Sequence, residues 1–102
     1  MVRPAVIVKF NCAPGKRDAY VAAMAPMFEQ TQQESGAEVY VLNDDAEDPD
    51  VLWMYEMYAD DAAFQAHCSS EAVLEFVSTL DPALLAGPPE MKMLTARRSK
   101  DE

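Results

Sequence analysis

The sequence has little with which to grip a metal, a nucleotide or a phosphate backbone. Its 102 residues include two cysteines and one histidine. Cys12 and Cys68 lie far apart and lack CxxC spacing, which argues against a disulfide framework or a zinc site. Reduced thiols and a cytoplasmic setting are the expectation. No GxGxxG follows a strand pattern, and there is no phosphate loop and no cluster at metal-ligand spacing, so neither a cofactor nor a metal is expected. Basic residues are also scarce, eight against eighteen acidic ones for a net charge of −10. A chain so charged is repelled by nucleic acid and by anionic membrane surfaces. No apolar run approaches the ~20 residues of a membrane span. The N-terminus lacks a sustained apolar stretch before a small-residue cleavage site and reads as mature sequence.

What is present is the material of one globular domain, 1–102. Half of the residues are hydrophobic and a quarter are charged, and the length is enough for one core and too short for two. Much of the acid lies in Asn43–Asp50, NDDAEDPD. An EF-hand loop needs a glycine at its sixth position and a distal glutamate, neither of which is placed here, so a solvated turn is expected.

Ala5–Cys12 alternates, with Val6, Val8, Phe10 and Cys12 on one face, as a strand does. From Lys16 to about Ser35 the positions Tyr20, Met24, Met27, Phe28 and Thr31 recur at helical spacing, with Pro26 as a kink and Gly36 as a C-terminal stop. Ala37–Asn43 and Val51–Tyr58 form a hairpin around the acidic turn. Asp60 or Asp61 caps a short helix running through Phe64 to His67, and Ser69 or Ser70 caps another containing Val73, Phe76, Val77 and Leu80. Glu90–Arg97 is a last strand, after which residues 98–102 should fray. The order strand, helix, strand, strand, helix, strand is that of an α+β, ferredoxin-like fold: βαββαβ with a four-stranded antiparallel sheet and helices on one face.

Val51–Tyr58 carries apolar residues on both faces. Leu52, Met54, Glu56 and Tyr58 share one, and Val51, Trp53, Tyr55 and Met57 the other. A sheet with one wet face alternates between apolar and polar residues. The helices cover one face, so a second copy of the chain is the expected cover of the other, in a two-fold homodimer.

The combination Pro14-Gly15-Lys16, Glu34-x-Gly36-x-x-x-Tyr40, Glu56-x-Tyr58, Ala63-Phe64-x-x-His67 and Gly87-Pro88-Pro89 resembles the antibiotic biosynthesis monooxygenase family. The resemblance implies that the fold pairs into a dimeric α+β barrel. It also implies activities that range over cofactor-independent oxygenation of quinols, anthrones and related phenols, haem degradation, and isomerisation of a small sugar-derived signal. Two departures stand out. Tyr58 occupies a position where the family often has tryptophan. Glu71–Leu80 contains no histidine, whereas haem-degrading members carry their iron ligand on that helix; Asn11 and Trp53 are similar to other residues of those sites, but without the ligand haem is set aside.

Glu56, a carboxylate among Leu52, Met54 and Tyr58, must be paired, protonated or at the edge of a wet pocket. A structural hydrogen bond to Tyr40 or to a helix-end amide is the alternative. His67 is a general base, a donor to a bound oxygen, or a helix-end residue favoured by the local dipole. The turn from the strand into the short helix should bring Glu56 and His67 to one pocket as the catalytic pair. Tyr40, Trp53, Tyr58 and Asn11 are candidate substrate contacts, the three aromatics being core residues first. With no cofactor motif, an oxygenase must take its electrons from its substrate, which suits a quinol-like aromatic and dioxygen. Two other readings remain: an isomerase using the same pair, and a non-catalytic dimeric binding domain.

Overall fold

The computed structural model describes residues 3–101. Met1, Val2 and Glu102, the ends of the expected domain, lie outside the described residues. The elements follow in the order β1 (Arg3–Asn11), α1 (Arg17–Ala23), α2 (Ala25–Thr31), β2 (Ala37–Asp44), β3 (Val51–Tyr58), α3 (Asp61–Cys68), α4 (Glu71–Thr79) and β4 (Glu90–Ala96), with a 3-10 turn at Pro82–Leu84. The strands form one antiparallel sheet in the order β2-β3-β1-β4. This is the ferredoxin-like α+β arrangement expected from the sequence.

The core lies between the sheet and the helices. Val6, Val8 and Phe10 from β1 and Leu52 and Met54 from β3 meet Tyr20, Met24 and Met27 from the helices, all of them buried. The period of two along β1 and β3 and the helical spacing after Lys16 select these residues.

The segment expected as one kinked helix is two helices. Met24 separates them, its amide shared between the Tyr20 and Val21 carbonyls, and Pro26 then stands in the first turn of α2. A proline there leaves no helical carbonyl without its donor, because first-turn amides have no partner within the helix. The helix also ends earlier than expected, at Thr31. Gly36 is not a left-handed stop: the one glycine with positive φ is Gly15, at 76°. What Gly36 supplies is space, since a Cβ there would overlap the Cβ of Ala63 on α3.

Caps hold the later helices in place. Asp60 accepts the Ala63 amide at 2.8 Å and Ser70 Oγ the Val73 amide at 3.3 Å, contacts worth ~1 kcal/mol each. The acidic segment is a turn fastened by its own carboxylates, with Asp45 accepting the Glu47 and Asp48 amides. Among the described residues no helix is long and apolar enough to cross a membrane. In the tail, Asp101 meets the Arg3 guanidinium at 3.0 Å.

Candidate active site

Between the inner face of the sheet and helices α3 and α4 lies an apolar cavity of about 370 Å³, within the size range of small-ligand sites. Its walls include Val8, Met54, Phe64, Phe76, Leu80 and Met91. Its titratable groups are Glu56, His67, Cys68, Tyr20 and Tyr40, and among the described residues no lysine or arginine lines it. A roomier groove of about 800 Å³ runs over α1, α2 and the edge of β2. It is an open surface feature whose carboxylates, Glu29 and Asp44, are exposed, so the apolar cavity, which holds the buried Glu56 and His67, is the candidate site.

Glu56 points into this cavity because it alternates with Met54 and Tyr58 along β3. Both Glu56 and His67 are buried. The Tyr58 hydroxyl donates to Glu56 Oε1 at 2.6 Å, a short bond of the kind a carboxylate makes. His67 Nε2 lies 4.0 Å from the same oxygen. The imidazole is held between two aromatic rings, Tyr40 at 5.5 Å and Tyr58 at 5.4 Å between centroids. On the far side of the ring, Nδ1 is 2.8 Å from Glu34 Oε1.

Burial pushes the Glu56 carboxyl above its ordinary value, and the Tyr58 hydrogen bond and the nearby imidazole pull it partly back. Burial, and then the bond to Glu56, also pushes the Tyr58 hydroxyl up, and burial pushes Tyr40 up, with Glu56 and Glu34 adding to it. Both phenols therefore stay protonated and serve as donors. Cys68 is raised as well, by burial first, so the thiolate needed for nucleophilic chemistry is disfavoured. Among the described residues no three His, Cys, Asp or Glu side chains are grouped to hold a metal ion. Glu34 and Glu56 approach the imidazole through different ring nitrogens.

A family model, antibiotic biosynthesis monooxygenase, matches residues 4–79. The chain belongs to that family. Family membership supports a general monooxygenase-like role. Solved structures with the same fold include Rv0793 from Mycobacterium tuberculosis, with 26% identity, TM-score 0.84, and 96% of this chain and 98% of that one covered. SO0527 from Shewanella oneidensis follows with 25% identity, TM-score 0.84 and coverages of 93% and 91%. PA3566 from Pseudomonas aeruginosa has 27% identity, TM-score 0.77 and coverages of 97% and 96%. No curated protein matches the sequence.

In this monooxygenase-family chain the structure brings together Glu56, His67, Tyr40 and Tyr58. It places Trp53 and Asn11 elsewhere. Trp53 is on the outer face of the sheet, where its Nε1 donates to Asp45 Oδ2 at 2.8 Å and Lys9 Nζ lies 5.7 Å from its ring. Asn11, also on that face, donates to Glu90 Oε2 at 2.8 Å. The partner of Glu56 is Tyr58, two residues along its own strand, rather than Tyr40 or a helix-end amide. The residue that the sequence reading did not single out is Glu34. It appears in the Glu34-x-Gly36 motif, but no periodicity links it to a histidine 33 positions away.

Proposed function

We propose that this protein is a cofactor-independent monooxygenase acting on a neutral hydroxylated aromatic such as a quinol or anthrone, with His67 and Glu56 as its acid/base pair. The observation that carries this reading is the pair itself: a buried carboxyl of raised pKa and an imidazole, side by side in an apolar cavity and flanked by two protonated phenols. Perturbed groups in a concave apolar site are the usual mark of proton chemistry.

The pair removes an activated C–H or O–H proton from the substrate, and the resulting anion is electron-rich enough to reduce dioxygen. At an activated methylene, loss of one proton and addition of dioxygen give a hydroperoxide once the proton is returned. Loss of the second proton with cleavage of the O–O bond gives a carbonyl and water. The step balances: a methylene and a dioxygen become a carbonyl and a water, both methylene hydrogens end in the water, and the substrate supplies all the electrons. Tyr40 is the donor we assign to the anion, and the cavity wall excludes the water that would quench it.

The lack of any lysine or arginine in the cavity favours this reading over isomerisation of a phosphorylated or carboxylated sugar, because a buried anion needs a cationic or multidentate partner. An uncharged carbonyl compound remains the substrate of the second reading, isomerisation by the same pair.

The active form we propose is a homodimer that pairs the outer faces of two sheets as a dimeric α+β barrel. Ile7, Val39, Trp53 and Tyr55 on that face are only partly buried, and Val41 and Leu94 are 46% and 39% exposed. The free Cys12 and Cys68 suit a reducing compartment, and we place the enzyme in the cytoplasm. The test is oxygen uptake by the purified protein with a panel of quinols and anthrones and no added cofactor. Stoichiometric conversion is expected, of an anthrone to the corresponding ketone and water or of a quinol to a hydroxyquinone and water, with one dioxygen per substrate. Uptake that requires an added flavin, metal or haem contradicts the reading.

A further inference from the structure

Glu34 is not among the residues that line the cavity; it sits in the turn between α2 and β2 and meets the imidazole from behind. The side chains of His67 and Glu34 are 7% and 17% exposed, with Nδ1 and Oε1 2.8 Å apart. Backbone packing builds this contact. The Gly36 carbonyl accepts the Ala59 amide at 2.9 Å, and the absence of a side chain on Gly36 lets Ala63 of α3 lie directly on it. His67 is four residues beyond Ala63 and shares its helix face. Seating Ala63 on Gly36 therefore delivers His67 to the carboxylate two residues before that glycine. The other groups facing the ring are Tyr40 on β2 and Glu56 and Tyr58 on β3.

The 2.8 Å contact joins Nδ1 to a carboxyl oxygen, and a carboxylate acceptor pairs with a protonated Nδ1. When the ring is neutral its lone pair is then on Nε2, the atom nearest Glu56 and the cavity. We infer that Glu34 is a positioning residue that holds His67 with Nδ1 protonated and Nε2 bare, and that Gly36 is glycine so that α3 can come close enough for this contact. Its consequence for turnover rests on the proposed proton chemistry, whereas the tautomer itself depends on no substrate.

The chain has one histidine, so imidazole nitrogen NMR signals of protein labelled with 15N-histidine belong to His67 alone. Followed through a pH titration to the neutral ring, the wild-type spectrum should show Nδ1 protonated and Nε2 bare. Glu34→Ala should shift the proton toward Nε2 and lower kcat on an accepted quinol by roughly 10²-fold, the loss expected when a general base is misdirected, with KM little changed. A neutral wild-type ring protonated at Nε2 overturns the inference, as does a folded Glu34→Ala protein with an unchanged spectrum. Because the wild-type spectrum is decisive alone, a variant that fails to fold does not rescue the idea. Spectra as expected with no quinol or anthrone consumed would sink the functional reading and leave Glu34 as the positioning residue. Turnover by an enzyme whose neutral ring is protonated at Nε2 would do the reverse.

Discussion

The two faces of β3 differ in how their polar atoms are satisfied. On the inner face, Glu56 is buried between Met54 and Tyr58, and its partners, Tyr58 and His67, come from the same chain. On the outer face, the Trp53 indole reaches a turn carboxylate and its ring, like that of Tyr55, is only partly buried. A strand can thus carry a buried carboxyl beside an imidazole on one side and an apolar surface on the other, because successive side chains point in opposite directions. The inner face is complete within one chain. On the outer face Trp53 and Tyr55 are only partly buried and Val41 and Leu94 are exposed in the single chain, and a second copy is the cover we propose.

The sharpest way to break this comparison is to remove the inner pair. His67→Ala and Glu56→Gln are each expected to lower turnover by about 10²- to 10⁴-fold, the range of general acid–base catalysis. The double variant should lose little more than the worse single one, because groups acting as a unit are non-additive. Steady-state oxygen uptake by the three variants checks this.

Next in size is the apolar core beside the pair. Met54→Ala should destabilise the fold by about 2–5 kcal/mol through lost burial and a residual cavity, read from denaturant or thermal unfolding. On the outer face, Val41→Asp combined with Tyr55→Asp should convert a dimer to monomers in light scattering and leave the Glu56–His67 geometry intact. A dimer that survives both charges contradicts the assignment of that face.

The smallest effect is on stability and depends on pH. The Glu56 carboxyl is raised above its ordinary value of 4.5. Its contribution to stability is therefore fully present below about that pH and is lost as pH rises through the folded-state value. Glu56→Gln removes this loss, and its amide oxygen can still accept the Tyr58 hydroxyl. The variant should melt higher than wild type at about pH 8, and the gap should close toward about pH 4. A substitution that stabilises the fold while removing turnover would mark Glu56 as held for function.

Much of this was legible in the sequence. β3 has the bounds that its pattern gave, Val51–Tyr58, and of the alternatives Asp60 or Asp61 and Ser69 or Ser70 the structure selects Asp60 and Ser70 as caps. Glu56 and His67 converge because a short turn joins their elements, a local relation that a sequence displays. Alternation along β3 had already set Trp53 on the face opposite Glu56, and the structure has it there, bonded to Asp45. Glu34 was not legible, because its link to His67 runs through the Gly36–Ala63 contact between segments far apart in the chain. The break at Met24 was hidden for a different reason. A proline in a helical pattern is compatible with a kink or with a new first turn, and packing decides between them.

The most direct test of the central claim compares oxygen uptake by wild type and His67→Ala on the same quinol or anthrone, without added cofactor, with both proteins shown to be folded. The account predicts one dioxygen consumed per molecule of substrate oxidised by the wild type, and a rate lower by about 10²-fold or more in the variant. Equal rates in the two proteins, with the variant merely melting at a lower temperature, would make the Glu56–His67 pair a structural element and contradict the account.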